Sequence, residues 1–336
     1  MTLDPAVAAV RLAVRRSLDD LVRTSPVTVL VACSGGADSL ALLAATCFEA
    51  RRSPWRVVGV TVDHGLQAGS AERAAAVVDQ MRALGAHESI AVRVEVTPRG
   101  QGPEAAAREA RYAALVETAR RVDSDVVLLG HTLDDQAETV LLGLTRGSGV
   151  RSLAGMRREA APFRRPLLDV TRAQTVAACR GGGIEFWSDP HNEDPRFTRV
   201  RVRHLVMPVL ERELGPGIAA ALARTADQLQ EDADALDAEA ERALARARTP
   251  TGLDVGVLDR LATAVRRRVL RRFAVTAGSP PSELFRVHVL GMDELVHGYK
   301  GQRWVDLPGH VRVTRERGEL RCHRTGGAEH ERPVGG

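Results

Sequence analysis

Three stretches of this chain carry side chains whose types and spacing could do chemistry together. The first is Ser34-Gly35-Gly36-Ala37-Asp38-Ser39, which follows the β-branched run Val27–Ala32 and precedes the helical stretch Leu40–Ala50. Two glycines at such a junction let backbone amides approach a ligand, and the helix start offers free N–H groups and a positive dipole end to an anion. The stretch therefore reads as a phosphate cradle, without the lysine of a Walker loop. Ser34 and Ser39 could hydrogen-bond phosphate oxygens. Asp38 would be repelled by them unless a divalent cation lay between, so it implies magnesium. The plainer alternative is an ordinary strand-to-helix turn capped by Asp38 or Ser39.

The second stretch is Gly130-His131-Thr132-Leu133-Asp134-Asp135-Gln136-Ala137-Glu138-Thr139. On a helix His131, Asp135, Glu138 and Leu142 fall along one face, which converges polar groups at the end of the preceding strand. Its plainer alternative is a cap at Thr132 or Asp134 with Glu138 solvated. The third is Arg199-Val200-Arg201-Val202-Arg203-His204, which with Arg196 makes a basic strip fit for RNA phosphates, although alternating arginines also edge ordinary helices. Arg266, Arg267, Arg268, Arg271 and Arg272 form a second such strip.

The elements that must position these stretches alternate. A helix over residues 5–23 is followed by strands at 27–32, 56–62, 89–96 and 125–129, separated by helices at 40–50, 70–84 and 103–121, with another helix at 133–144. This pattern predicts an α/β fold with a doubly wound, mostly parallel sheet, whose ligands lie beyond the carboxyl ends of the strands. A helix is expected over 166–181, then an irregular lid or substrate loop over 184–197. The expected organisation is a catalytic domain over 1–215, a linker helix over 216–250, a small α+β domain over 251–325 and a disordered tail over 326–336. In the small domain, helices are expected at 258–274 and 282–297, with a hairpin around Glu316-Arg317-Gly318.

Composition sets the outer bounds. At 336 residues, 44% hydrophobic and 27% charged, the chain is a folded protein long enough for more than one domain. No apolar run is long enough to span a bilayer and the N-terminus does not resemble a signal peptide, so a cytoplasmic location without membrane contact is expected. Cys33, Cys47, Cys179 and Cys322 form no CxxC pair and read as small buried thiols. Of the 47 basic residues only Lys300 is a lysine. That skew fits either phosphate contact or an arginine-favouring genome.

The Ser34–Ser39 stretch resembles the PP-loop of the N-type ATP pyrophosphatases, an adenine nucleotide alpha hydrolase-like fold. Gly130–Gly149 is similar to the GHxxDDQAETxLxxLxRGSG signature of the lysidine synthetases and their tRNA thiolase relatives. Asp63-His64-Gly65-Leu66 matches the family's VDHGL element, with Gln67 where arginine is usual, and Glu104–Tyr112 resembles its ExxARxxRY helix. Gly155-Met156, Arg165–Leu168 and Trp187–Asp194 follow in the family's order, and Arg199–His204 resembles RNxIRH with Val200 where asparagine is usual. Residues past 215 match in outline only.

This resemblance implies a ligase that forms a carbon–nitrogen bond and converts ATP to AMP and pyrophosphate. The wobble cytidine of tRNA(Ile) with a CAU anticodon would be adenylated, and free L-lysine would displace AMP. ATP and Mg2+ are the implied cofactors, and a homodimer is left open. Asp38, Asp134, Asp135 and Glu138 are the implied catalytic residues, with Asp38 and Asp135 toward the metal. Ser34, Gly35, Gly36, Ala37, Asp38, Ser39, Asp63, His64, Gly130 and His131 are implied for ATP, and Arg108, Arg111, Asn192, Arg199, Arg201 and Arg203 for tRNA or lysine. The alternatives are a tRNA thiolase, disfavoured by the missing CxxC, and a non-catalytic nucleotide-binding module.

Overall fold

The computed structural model describes residues 4–22, 26–65, 69–95, 103–145, 149–189, 193–301 and 304–325. The tail expected over 326–336, residues 146–148 and 190–191 of the matched motifs, and Leu66, Gln67 and Asn192 lie outside these. The chain divides into two compact units, residues 1–230 and 231–336.

The first unit opens with α1 (Pro5–Leu18), whose start is capped by the Asp4 carboxylate accepting from the Ala6 N–H at 2.7 Å. Then follow β1 (Val27–Ala32), α2 (Ala37–Ala50), β2 (Trp55–Asp63), α3 (Ser70–Ala83), β3 (Glu88–Arg93), α4 (Pro103–Arg121), β4 (Val126–Leu128), α5 (Leu133–Thr145), α6 (Val150–Leu153), β5 (Glu159–Ala160), β6 (Phe163–Arg164) and α7 (Arg172–Gly181). The sheet order is β3-β2-β1-β4-β6-β5, parallel throughout except for the β5–β6 hairpin.

Burial explains why the strand sequences are continuously apolar. Val29 and Val31 pack with residues of α1, α2, α3 and α7, while Leu30 faces the other way and packs with Val58, Val60, Val127 and Leu115 of α4. Both faces of β1 are therefore covered, as a doubly wound sheet requires. From β1 the chain winds outward through β2 to β3, then returns to place β4 on the other side of β1. The carboxyl ends of β1 and β4 flank the point of reversal, where such sheets open a crevice. Both motif loops, Cys33–Gly36 and Leu129–Thr132, begin there.

The helix expected over 166–181 is broken. Pro166–Asp169 forms one 3-10 turn and α7 restarts at Arg172, with Val170 and Thr171 extended between them. A capping box causes the restart: the Thr171 hydroxyl accepts from the Gln174 N–H at 3.2 Å, and the Gln174 side chain accepts from the Thr171 N–H at 2.8 Å. Further on, α8 (Thr198–Arg201) runs into a π-helical turn, Val202–Val206, and then α9 (Met207–Leu214). In α10 (Ile218–Ala247), residues through Gln230 belong to the first unit.

The second unit contains the rest of α10, β7 (Leu253–Asp254), α11 (Val255–Asp259), α12 (Thr263–Thr276), α13 (Arg286–His297), β8 (Trp304–Leu307), β9 (Val311–Glu316) and β10 (Glu319–Arg324). Its antiparallel sheet has the order β7-β10-β9-β8, and the expected hairpin turns at Arg317 and Gly318, both at positive φ. Leu270, Met292, Leu295, Val313 and Leu320 are fully buried in its core.

The arginines of the second strip are engaged within their own unit. Arg266 is buried and donates to Asp293 at 2.6 Å, Arg267 donates to the other oxygen of Asp293 at 2.8 Å, and Arg268 donates to Asp237 at 2.9 Å. Arg271 donates to the Leu284 and Pro281 carbonyls, and Arg272 to Glu241. These guanidinium groups tie the unit together, because a cation this close to the core needs a partner. Asp293→Ala would leave Arg266 buried without its carboxylate, so unfolding in denaturant should show a loss of about 3–5 kcal/mol.

Candidate active site

A cavity of about 460 Å³ lies at the carboxyl ends of β1 and β4 and is lined by residues of the first unit. One wall is the Ser34–Ser39 loop. Gly35 sits at φ +83°, and a Cβ there would lie 2.7 Å from Val77 Cγ2, so both conformation and space demand glycine. The buried Ser39 hydroxyl ties the loop into one shape: it accepts from the Ser34 N–H at 3.1 Å and donates to the Gly36 carbonyl at 2.9 Å. Gly130 approaches from β4, where a Cβ would sit 3.2 Å from the Asp38 carbonyl carbon and oxygen. The Trp187 N–H donates to the Gly35 carbonyl at 3.0 Å, and the Arg73 guanidinium lies 3.6 Å over the indole ring. The irregular segment after α7 thus lies against the Ser34–Ser39 loop and the start of α3.

The floor is charged. The Arg172 guanidinium lies 2.7 Å from Asp135, 3.6 Å from Asp38 and 3.5 Å from Glu138. Arg203, in the π-helical turn, forks onto both oxygens of Glu138 at 2.7 and 3.0 Å and reaches Asp135 at 3.4 Å. Arg199 approaches Glu138 at 3.6 Å and donates to the Thr139 hydroxyl at 2.9 Å. Burial pushes the Asp38 carboxyl pKa up, against the Thr175 hydroxyl and Arg172, which favour its ionised form. Burial also opposes ionisation of Asp135, but Arg172 and the Thr132 N–H outweigh it and hold this carboxyl below its usual range. Asp134 accepts from the Arg172 N–H at 2.7 Å and so caps α7.

The remaining wall contains Val60, Val62, Leu115, Leu129, Tyr112 and His131, with Arg108 and Arg111. The Nδ1 atoms of His131 and His64 are buried with no hydrogen-bond partner among the described residues. Burial, reinforced by Arg165, Arg108 and Arg199 and opposed by Asp135, lowers the His131 pKa to about 4, so the imidazole is neutral near pH 7.

Most of the residues singled out in the sequence line one cavity, but not all: Asp134, Glu138 and Arg199 stand behind its lining residues Asp135, Arg172 and Arg203. The Asp63 carboxylate accepts from the Gly65 N–H at 2.9 Å and shapes the turn after β2. His64 accepts from Arg111 at 3.3 Å. Arg201 turns to the Pro195 and Arg196 carbonyls at 2.7 and 2.9 Å and braces its own loop. Gln136 clasps the Met156 backbone, donating to its carbonyl at 3.0 Å and accepting from its N–H at 2.7 Å. Two residues were missed, Arg172 and Thr175. Their sequence signal is the Thr171–Gln174 capping box, hidden by reading one helix across it.

Among the described residues no three His, Cys, Asp or Glu side chains are grouped to hold a metal. A two-carboxylate set at Asp38 and Asp135 still fits magnesium, which takes one or two carboxylates and completes its shell with phosphate oxygens and water.

A PP-loop domain family model matches residues 10–210, and a TilS substrate binding domain model matches residues 253–321. The chain is 56% identical to the tRNA(Ile)-lysidine synthase of Thermobifida fusca, over 94% of this chain and 97% of that one. The chain belongs to the tRNA(Ile)-lysidine synthase family. The Streptomyces coelicolor synthase is 50% identical over 94% of this chain and 97% of its own, and that of Salinispora arenicola 53% over 95% and 96%. Among solved structures, a U34-tRNA thiolase from Methanococcus maripaludis superposes with a TM-score of 0.57 at 18% identity, covering 67% of this chain and 80% of that chain. That likeness shows the shared fold. As a lysidine synthase family member the chain uses ATP at its PP-loop domain. No helix among the described residues is long and apolar enough to cross a membrane.

Two outcomes follow from this geometry. Gly35→Ala introduces backbone strain of about 1–3 kcal/mol into the loop, and calorimetry should show binding of a non-hydrolysable ATP analogue weakened roughly tenfold or more. His131 is depressed in the folded state, so between its unfolded value and about 4 the unfolded chain binds the extra proton. Its contribution is complete above the unfolded pKa and is lost as pH falls through that window. In His131→Gln, urea unfolding at pH 7.5 and pH 5 should reveal a smaller acid loss than in the parent.

Proposed function

We propose that this chain makes lysidine: it adenylates the wobble cytidine of tRNA(Ile) with a CAU anticodon and then joins free L-lysine to that base, releasing AMP and pyrophosphate in the cytoplasm. One observation carries the reading. A glycine loop at a helix start, the Asp38 and Asp135 carboxylates and an apolar wall of Val60, Val62, Leu115 and Leu129 line one cavity. The family membership supplies the substrate class.

The loop amides and the start of α2 would bind the polyphosphate, with the Ser34 and Ser39 hydroxyls completing the cradle. Asp38 and Asp135 would hold magnesium, which supplies charge neutralisation at the phosphates when bound. The adenine or the extruded cytosine would lie against Val60, Leu115 and Leu129, and neutral His131 can accept or donate one hydrogen bond to a base edge. The cytidine carbonyl oxygen would take the adenylyl group as pyrophosphate leaves, and the lysine ε-amine would then attack the ring carbon bearing that oxygen, breaking the C–O bond and releasing AMP. Asp135 would orient that amine, with Glu138 behind it holding Arg203. Arg108 and Arg111 at the mouth would meet tRNA phosphates.

Radiolabelled lysine, ATP, magnesium and unmodified tRNA give the test. Label should enter tRNA(Ile) with a CAU anticodon and not initiator tRNA, and Asp38→Ala should lower the rate by roughly a hundredfold or more, as loss of a charge-stabilising group does. No transfer into tRNA(Ile), with the ATP analogue still binding, would leave a lysidine synthase fold without that activity.

A further inference from the structure

The floor of the cavity carries charges of both signs, with Asp134 a fourth acid beside Asp38 and Arg172. Three carboxylates, Asp38, Asp135 and Glu138, face three guanidinium groups, Arg172, Arg199 and Arg203. Arg199 and Arg203 both lean on Glu138, whose side chain is 2% exposed. Arg172 alone touches all three carboxylates, including Asp38 on the phosphate loop. Its guanidinium donates to Asp135 at 2.7 Å but stands 3.6 Å from Asp38, beyond good hydrogen-bonding distance. Asp134 and the Thr171–Gln174 box fix its backbone, so only the side chain is free to move.

From this arrangement we propose that Arg172 is a stand-in cation, which holds the Asp38 and Asp135 carboxylates while no nucleotide is bound and so keeps divalent metal out until the polyphosphate arrives. A free divalent ion entering the resting site meets carboxylates already neutralised and a guanidinium in its way. A polyphosphate brings its own negative charge, gives Arg172 a new bidentate acceptor and leaves the two carboxylates to the metal. Arg172 is thus a positioning residue that makes metal binding conditional on nucleotide. This rests on the nucleotide and metal reading above.

Removing the Arg172 charge should not collapse the floor, because Glu138 keeps Arg203 and Arg199, and Asp135 keeps the Thr132 N–H at 2.9 Å. The test is a Mn2+ titration followed by electron paramagnetic resonance on the full chain, with and without a non-hydrolysable ATP analogue. Without nucleotide, Arg172→Gln should bind Mn2+ roughly tenfold or more tightly than the parent, as expected when a cation is removed from beside two carboxylates in a partly buried site. Arg172→Lys, which keeps the charge, should stay close to the parent and guards against a general effect of substitution. The analogue should tighten Mn2+ binding strongly in the parent and much less in Arg172→Gln.

Equal Mn2+ affinity of parent and Arg172→Gln without nucleotide would overturn the proposal while leaving the proposed activity intact. Tight nucleotide-free binding to the parent would overturn it as well. Failure of the analogue to bind any of the proteins would instead remove the ATP reading, and the nucleotide-free comparison would still decide the role of Arg172. Should Arg172→Gln prove unfolded by circular dichroism, the parent and Arg172→Lys titrations decide alone: tight nucleotide-free binding to either overturns the proposal, and weak binding to both supports it.

Discussion

Asp135 and Glu138 can be buried next to Asp38 only because guanidinium groups lie against them. Carboxylates withdrawn from water and left unpaired would take up protons or open the structure, since the desolvation cost of an isolated charge exceeds what one or two neutral hydrogen bonds return. Arg172 and Arg203 supply the missing charge, and each comes from a different element, α7 and the π-helical turn. The cluster therefore couples α5, α7 and the segment after α8 to the Ser34–Ser39 loop. A π-helical turn places one residue out of phase with the helix around it, and here the displaced stretch carries Arg203.

The same demand explains why the site stands at the reversal of the sheet. Two parallel strands whose following helices leave toward opposite faces open a crevice between them, and backbone amides and helix starts point into it. Gly130 lets β4 come close to the Asp38 backbone, and Gly35 lets the loop pass Val77. Side chains at either position would separate the phosphate cradle from the carboxylates.

Several arginines that the sequence groups into basic strips are engaged inside this chain. Arg266, Arg267 and Arg268 face acids of their own unit, and Arg201 faces backbone carbonyls, although on sequence grounds each belongs to a basic strip. A guanidinium has five donors and a long apolar stem, so it serves equally well as an internal brace. Arg108 differs: its guanidinium lies over the Tyr112 ring, 5.0 Å from the centroid, at the cavity mouth with a face left to solvent.

Much of this protein was legible in its sequence because the signals are local. Alternating apolar runs and helical stretches set the doubly wound class, the Gly35-Gly36 turn marked one wall of the cavity, and the acidic string around Asp135 marked the charged cluster beside it. Each of these depends on residues a few positions apart, where backbone geometry dictates the outcome. What only the tertiary structure decided is which charge meets which. Arg172 lies 34 residues from Glu138 and 134 from Asp38 in the numbering, and no periodicity relates them. That pairing arises from the order in which strands join the sheet, and electrostatic partners buried by such long-range packing leave no trace in local spacing.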